Sequence, residues 1–154
     1  MSKNSDMASE IREMTTDRLD KILQKAGTDA AVNQYVEKYA RNQYESFSDY
    51  FNEYISKGSL EIPDIIYRSN ISKNYIYNII NGKRNPGRDK IISLCIGAGM
   101  NLREINRGLK IGRYSALYAK DERDARIIVA VNQGIRSVID LNIILEKHGL
   151  NILE

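Results

Sequence analysis

Apolar residues recur along the chain at the three- and four-residue spacing of α-helices, whereas strand-like alternation is almost absent. This pattern predicts an all-α fold. Near the start, Thr15 or Thr16 can cap a short helix that ends before Gly27. The next stripe has helical spacing and consists of Val32, Tyr35, Val36, Tyr39 and Ala40. An aromatic run follows it, made of Tyr44, Phe47, Tyr50, Phe51 and Tyr54.

The middle of the chain predicts five short, closely spaced helices. They cover about 47–58, 63–68, 73–80, 89–98 and 102–110. Gly58 and Asn81-Gly82 are typical helix stops, Pro63 suits a first helical turn, and Ser72 is a good N-cap.

A weak internal repeat follows these helices. The dipeptide Arg88-Asp89, with an apolar helix and a glycine after it, recurs as Arg123-Asp124. Each copy predicts a helical hairpin, and two copies are too few for a solenoid. We therefore predict that the second hairpin packs on the first. The predicted organisation is an N-terminal helical extension over 1–43, a central domain over 44–112 and a C-terminal helical hairpin over 113–154.

Composition excludes several functional classes. Among 154 residues, Cys95 is the only cysteine, which excludes an intrachain disulfide and a thiolate zinc site and favours a reducing, cytoplasmic environment. No apolar run approaches the roughly 20 residues of a membrane helix. The sequence has no Walker A loop, no histidine pair and no Cys/His couple. We therefore predict a protein without enzyme activity, cofactor, metal or membrane partner.

The charge of the chain is concentrated in its middle. The net charge is only +3, but residues 68–88 contain no carboxylate. The basic residues of this window are Arg68, Lys73, Lys83, Arg84 and Arg88. Such a window indicates either a site for a polyanion or a solvated basic loop, and charge alone does not separate the two.

The same window carries a resemblance to a known family. Residues 64–86, DIIYRSNISKNYIYNIINGKRNP, resemble the helix-turn-helix core of the Cro/C1 and Xre-type phage repressors. That family typically ends its recognition helix with Gly, basic residues and Pro, as residues 82–86 do here. The resemblance implies a five-helix, lambda-repressor-like helix-turn-helix domain, with N-terminal helices and a C-terminal helical hairpin added to it. Such additions are similar to an extended subgroup of bacterial Xre-like regulators.

The resemblance also implies roles for individual residues. The base-reading positions on the outward face of the recognition helix are Lys73, Asn74, Tyr77 and Asn78. Asn can bind adenine in a bidentate manner, and Lys can donate to guanine. The phosphate-contacting positions are Arg68, Ser72, Tyr75, Asn81, Lys83, Arg84 and Arg88. The alternative is that these polar residues are simply solvated.

The implied function is a sequence-specific regulator that binds double-stranded DNA as a homodimer, with repression favoured over activation. Ile62, Ile66 and Ile80 depart from the family pattern and leave apolar surface that flanking helices or a partner must cover. They favour one alternative, a protein-binding adaptor or antitoxin that holds a protein or peptide through its flanking helices. A second alternative is a ligand-controlled helical sensor.

Overall fold

The computed structural model describes residues 15–36 and 44–154, and within these ranges it contains helices and no strand. The predicted all-α fold is confirmed. The helices are α1 (Thr16–Lys25), α2 (Asp29–Tyr35), α3 (Phe47–Gly58), α4 (Ile62–Ser69), α5 (Lys73–Ile80), α6 (Arg88–Gly97), α7 (Leu102–Ile111), α8 (Glu122–Asn132) and α9 (Val138–Lys147). None of the described helices is both long and apolar enough to cross a membrane. Tyr39 and Ala40 of the predicted stripe lie outside the described residues.

The chain divides into two compact units, residues 1–43 and 44–154. In the first unit, side-chain caps define both described helices. The hydroxyl of Thr15 accepts a hydrogen bond from the amide of Arg18, and that of Thr28 accepts one from the amide of Ala31. Neither α1 nor α2 buries a residue.

Local signals also explain the helix boundaries of the second unit. Ser46 caps α3, so the aromatic run begins a new helix there. Asn101 and Glu104 form a reciprocal capping box at the start of α7. Ser59 and Asn70 end α3 and α4 in the left-handed region, at φ 49° and 56°. Asn enters this region more readily than most residues, which explains why it can end a helix without glycine.

One apolar core runs through the whole second unit, so 44–112 and 113–154 share it. Its largest fully buried side chains come from α3 to α9 and are Phe51, Ile65, Ile76, Ile79, Ile91, Ile92, Leu94, Ile96, Ile105, Leu109, Ile127 and Leu141. Cys95 is a buried core residue, and burial raises the pKa of its thiol. Ile62, Ile66 and Ile80 are half-buried against the core.

Helix α6 lies at the centre of this unit and packs against α4, α7 and α9. Its approach to α4 depends on Gly97. A Cβ at this position would lie 2.9 Å from both the Cβ and the amide nitrogen of Ser69, and 3.1 Å from the carbonyl oxygen of Ile65. A larger residue would force the two helices apart.

The internal repeat predicted from the sequence is visible in the hydrogen bonds. The Asn106 side chain accepts from the amide of Leu117, and the equivalent Asn142 accepts from the amide of Leu153. Both leucines are buried, so each Asn fastens the segment that follows its own hairpin.

The two Arg-Asp dipeptides pair reciprocally. Arg88 forms a bidentate ion pair with Asp124, and Arg123 forms one with Asp89. The helix contacts are reciprocal as well, because α6 packs on α9 and α7 packs on α8. Contacts of i with j and of j with i are the pattern that an approximate two-fold relation produces. The second hairpin thus packs on the first, as predicted, in a reciprocal arrangement.

Candidate nucleic-acid interface

Helix α5 separates an inner apolar face from an outer polar one. Ile76 and Ile79 are fully buried and form the inner face. Four positions face outward and are exposed, namely Lys73, Asn74, Tyr77 and Asn78. The structure therefore brings all four predicted base readers onto one exposed surface.

Contacts from α3 fix the end of α5. The buried hydroxyl of Ser48 donates to the carbonyl of Ile79 at 2.6 Å, and the Asn52 amide donates to the carbonyl of Ile80 at 2.9 Å. Carbonyls in the last turn of a helix lack partners within that helix. The Ile79 carbonyl also accepts from the amide of Gly82, and the two side chains add partners from α3 that hold α5 in position. The sequence alone does not indicate this role, because Ser48 and Asn52 precede the residues whose carbonyls they bind by 31 and 28 positions.

The turn after α5 brings basic residues beside it. The backbone carbonyl of Asn78 accepts hydrogen bonds from the amides of both Lys83 and Arg84, at 2.8 and 3.2 Å. Gly82 adopts φ 71°, which a residue with a side chain rarely does, and Pro86 is buried. The turn is therefore folded back on the helix, while Lys83 and Arg84 have exposed side chains.

An aromatic ring lies among the cations. The guanidinium carbon of Arg84 is 4.5 Å from the ring centroid of Tyr75, and the ammonium of Lys90 is 5.4 Å from the same centroid. Lys73 lies 6.0 Å from the ring centroid of Tyr77. These distances are typical of cation–π contacts. Lys90 was not among the predicted site residues.

Lys90 was missed because Asp89 ends the acid-free window. In the structure Asp89 is paired with Arg123, so its charge is compensated from another part of the chain. The basic surface consequently extends past residue 88. Within the described ranges, no ion pair involves Lys73, Lys83, Arg84 or Lys90. We call these four residues the basic cluster.

Arg88, one of the predicted phosphate contacts, is engaged within the chain. Its guanidinium binds Asp124 through two hydrogen bonds and donates two more to the carbonyls of Ser115 and Ala116. The hydrogen bond to Asp124 raises the pKa of Arg88. Burial opposes ionisation of Asp124, but hydrogen bonds from Arg88 and from the amide of Tyr118 outweigh it and lower the pKa of this carboxyl. All guanidinium nitrogens of Arg88 are thus engaged within the chain, and we leave it out of the proposed phosphate-binding set.

The other predicted phosphate contacts lie around the two ends of α5. Ser72 is the N-cap, and its hydroxyl oxygen accepts from the amide of Tyr75. Asn81 is the C-cap and is exposed. Arg68 is half-buried in the last turn of α4, where its Nε donates to the carbonyl of Asp64. Ser72 and Asn81 therefore border the exposed face of α5.

Comparisons of the chain with protein-family models, with curated proteins and with solved structures found no match.

Proposed function

We propose that this protein is a sequence-specific regulator that binds double-stranded DNA through α4 and α5 as a helix-turn-helix. Helix α5 would enter the major groove, and α4 would brace it on the backbone. Occupancy of an operator would then regulate transcription, with repression as the favoured outcome.

One observation carries this proposal: the exposed face of α5 and the basic cluster form one surface without internal ion pairs. Arg88, Arg123 and Arg126 of the second unit have carboxylate partners, so they do not belong to this unpaired cluster. Because desolvated cations need compensation, an unpaired cluster beside exposed amide side chains suits a polyanion with readable edges.

The proposed contacts fall into two groups with different consequences. Asn74, Tyr77, Asn78 and Lys73 would contact base edges and supply sequence discrimination. Lys83, Arg84, Ser72 and Asn81 would contact phosphates, which attract any sequence and set the register. The hydrogen bonds from Ser48 and Asn52 of α3 fix the end of α5. This rigidity favours recognition because less conformational freedom is lost on binding.

The protein-binding alternative has lost part of its support. Ile62, Ile66 and Ile80 pack on the chain's own core, and α9 packs on α4. Val138, Leu141 and Leu145 of α9 are buried inside the unit and Ile144 is half-buried, so this side of the helix is not free to bind a partner. The outward apolar residues of α9 are instead Ile139 and Ile143, at 47% and 61% exposure.

We propose a two-fold dimer, because one short recognition helix makes few contacts. Its two α5 helices would read half-sites about 34–36 Å apart, or a multiple of this distance. Analytical ultracentrifugation of the full chain, alone and with a selected duplex, should give two chains per duplex. A stoichiometry of one chain per duplex would contradict the dimer.

The first experiment is selection of bound fragments from genomic DNA, followed by titration of the selected duplex at about 50 and 200 mM salt. Six or more phosphate contacts would weaken binding about a thousandfold or more over this range, because counterions are released on binding. A flat salt dependence, or a protein partner retained from host lysate after nuclease treatment, would favour the adaptor.

The second experiment separates base readers from phosphate contacts. Asn74→Ala or Asn78→Ala should cost about 1–3 kcal/mol on the selected duplex and little on random DNA. Lys83→Gln should weaken binding to both duplexes, because it removes attraction common to every sequence. The matched control is Asn132→Ala, an exposed change at the end of α8. If both α5 variants bind the selected duplex as the parent does, α5 is not the reading helix.

A further inference from the structure

Two side chains of the basic cluster converge on one ring although their charges repel. Arg84 comes from the turn after α5, Lys90 from the first turn of α6, and both lie within 6 Å of the Tyr75 centroid. In the described ranges neither cation has a carboxylate partner. The ring is thus the group that gathers two unpaired positive charges.

We propose that Tyr75 is a positioning residue whose ring holds Arg84 and Lys90 as a two-cation clamp for a phosphate group of the DNA backbone. This inference rests on the proposed DNA-binding function and deepens it in two ways. It adds Lys90 to the phosphate contacts, and it assigns the action of Tyr75 to its ring face rather than to its hydroxyl.

The ring orders the two cations before the DNA binds. Free Arg and Lys side chains lose rotamer freedom when they contact a phosphate, and this loss weakens binding. A ring that already restricts both side chains removes part of this loss. The ring itself is held in place, because Tyr75 is half-buried, packs against the core and lies on a helix whose end is tethered by α3.

The nearby acids do not neutralise the clamp. Asp89 adjoins Lys90 in the sequence, but its carboxylate accepts two hydrogen bonds from Arg123. Asp124, further along the chain, is bound by Arg88. The reciprocal ion pairs of the two hairpins therefore occupy the acids at the start of α6, and Lys90 stays available for an external anion.

The test compares Tyr75→Phe with Tyr75→Leu in full-length protein, with affinity for the selected duplex as the readout. If the ring acts, Tyr75→Phe binds within about twofold of the parent, and Tyr75→Leu loses about fivefold or more, from two disordered cations. Equal losses in both variants would assign the role to the hydroxyl and overturn the inference. The inference would also be overturned if Tyr75→Leu lost less than fivefold in affinity for the selected duplex.

Lys90→Gln provides a second test, which does not depend on whether Tyr75→Leu folds correctly. It should weaken binding to selected and random duplexes alike and reduce the slope of log K against log salt by about 0.9, the value for one phosphate contact. Lys147→Gln, an exposed change at the end of α9, is the matched control and should leave the slope unchanged. An unchanged slope in Lys90→Gln would contradict the clamp.

A third arm reads the positioning directly. In the parent, ring currents should shift the NMR resonances of the Arg84 Nε–H and Lys90 Cε–H₂ groups, and Tyr75→Leu should abolish both shifts. If the parent itself binds no duplex, both the DNA-binding function and the clamp are wrong. If the parent binds with steep salt dependence while all three variants behave as the parent does, only the clamp is wrong.

Discussion

The reciprocal ion pairs contain two carboxylates, Asp89 and Asp124, at equivalent positions of the repeat. Removing one or the other should reduce the free energy of unfolding by unequal amounts. The Asp124 side chain is 7% exposed and accepts hydrogen bonds from Arg88 and from the amide of Tyr118. The Asp89 side chain is 32% exposed, and the hydrogen bonds that it accepts within the described residues come from Arg123. Asp124→Ala would therefore leave a half-buried guanidinium and a backbone amide without their partner.

The expected magnitudes follow from this difference in burial. Removing one partner of a fully buried ion pair costs about 3–5 kcal/mol. Solvent reaches part of Arg88, so we expect the lower end, about 3 kcal/mol, for Asp124→Ala. An exposed pair contributes about 0.2–1 kcal/mol. For the more exposed pair we expect Asp89→Ala to cost about 1 kcal/mol.

Urea unfolding of the two variants, followed by circular dichroism, measures both free energies of unfolding. The m-values should stay equal, so that a shift in midpoint reports stability alone. Asp124→Ala should be the less stable variant by about 2 kcal/mol. Equal losses within about 0.5 kcal/mol, or a larger loss in Asp89→Ala, would refute the argument that burial and the additional amide contact make the Asp124 pair the stronger one.

Three further results are expected from unfolding measurements. The difference in free energy of unfolding between the parent and Asp124→Ala should shrink as the pH falls below about 4. Folding lowers the pKa of the Asp124 carboxyl, so its stabilisation is complete above the ordinary pKa of Asp and is lost as the pH falls through the pKa of the folded state. A difference that stays constant with pH would contradict this. Gly97→Ala should cost about 1–3 kcal/mol because its Cβ meets Ser69, whereas the control Gly87→Ala, with open space around it, should cost less than about 1 kcal/mol; equal costs would contradict the close approach. Ser48→Ala should cost about 0.5–1.5 kcal/mol because it removes a buried hydrogen bond to the Ile79 carbonyl, which keeps its bond from the amide of Gly82; an unchanged midpoint would contradict a stabilising role for the Ser48 hydroxyl.

Helix positions could be predicted from the sequence because short-range chemistry determines them. Thr28 and Ser72 cap the helices that follow them, as a hydroxyl three residues before a free amide should. Asn70 occupies the left-handed region where the resemblance would place a turn glycine. In each case the interacting residues are fewer than four positions apart, so the local sequence is enough to predict where the helix begins or ends.

The partners of charged side chains could not be predicted in the same way. The resemblance assigned Arg88 to phosphate, and no acid lies between residues 68 and 88 to suggest a partner, but its partner Asp124 lies on another hairpin. Lys90 was left out because Asp89 adjoins it, although Asp89 is bound by Arg123. The acid-free window considers only charged residues that are close in the sequence, whereas Coulomb interactions act between charged groups that are close in space. The repeat of Arg-Asp was visible in the sequence, but its reciprocal pairing depends on how the hairpins are oriented.

The same pairing explains how a chain with a net charge of only +3 can present a strongly basic surface. The two Arg-Asp pairs cancel their own charges inside the second unit, at the start of α6 and α8. The described cations without carboxylate partners include those of the basic cluster around α5. Because exposed charges act over about 8–10 Å at ordinary ionic strength, an approaching phosphate responds to this local cluster rather than to the net charge. Internal ion pairs in the hairpins therefore compensate the charges of Arg88 and Arg123, whereas the cations of the basic cluster stay uncompensated beside the exposed amide side chains of α5.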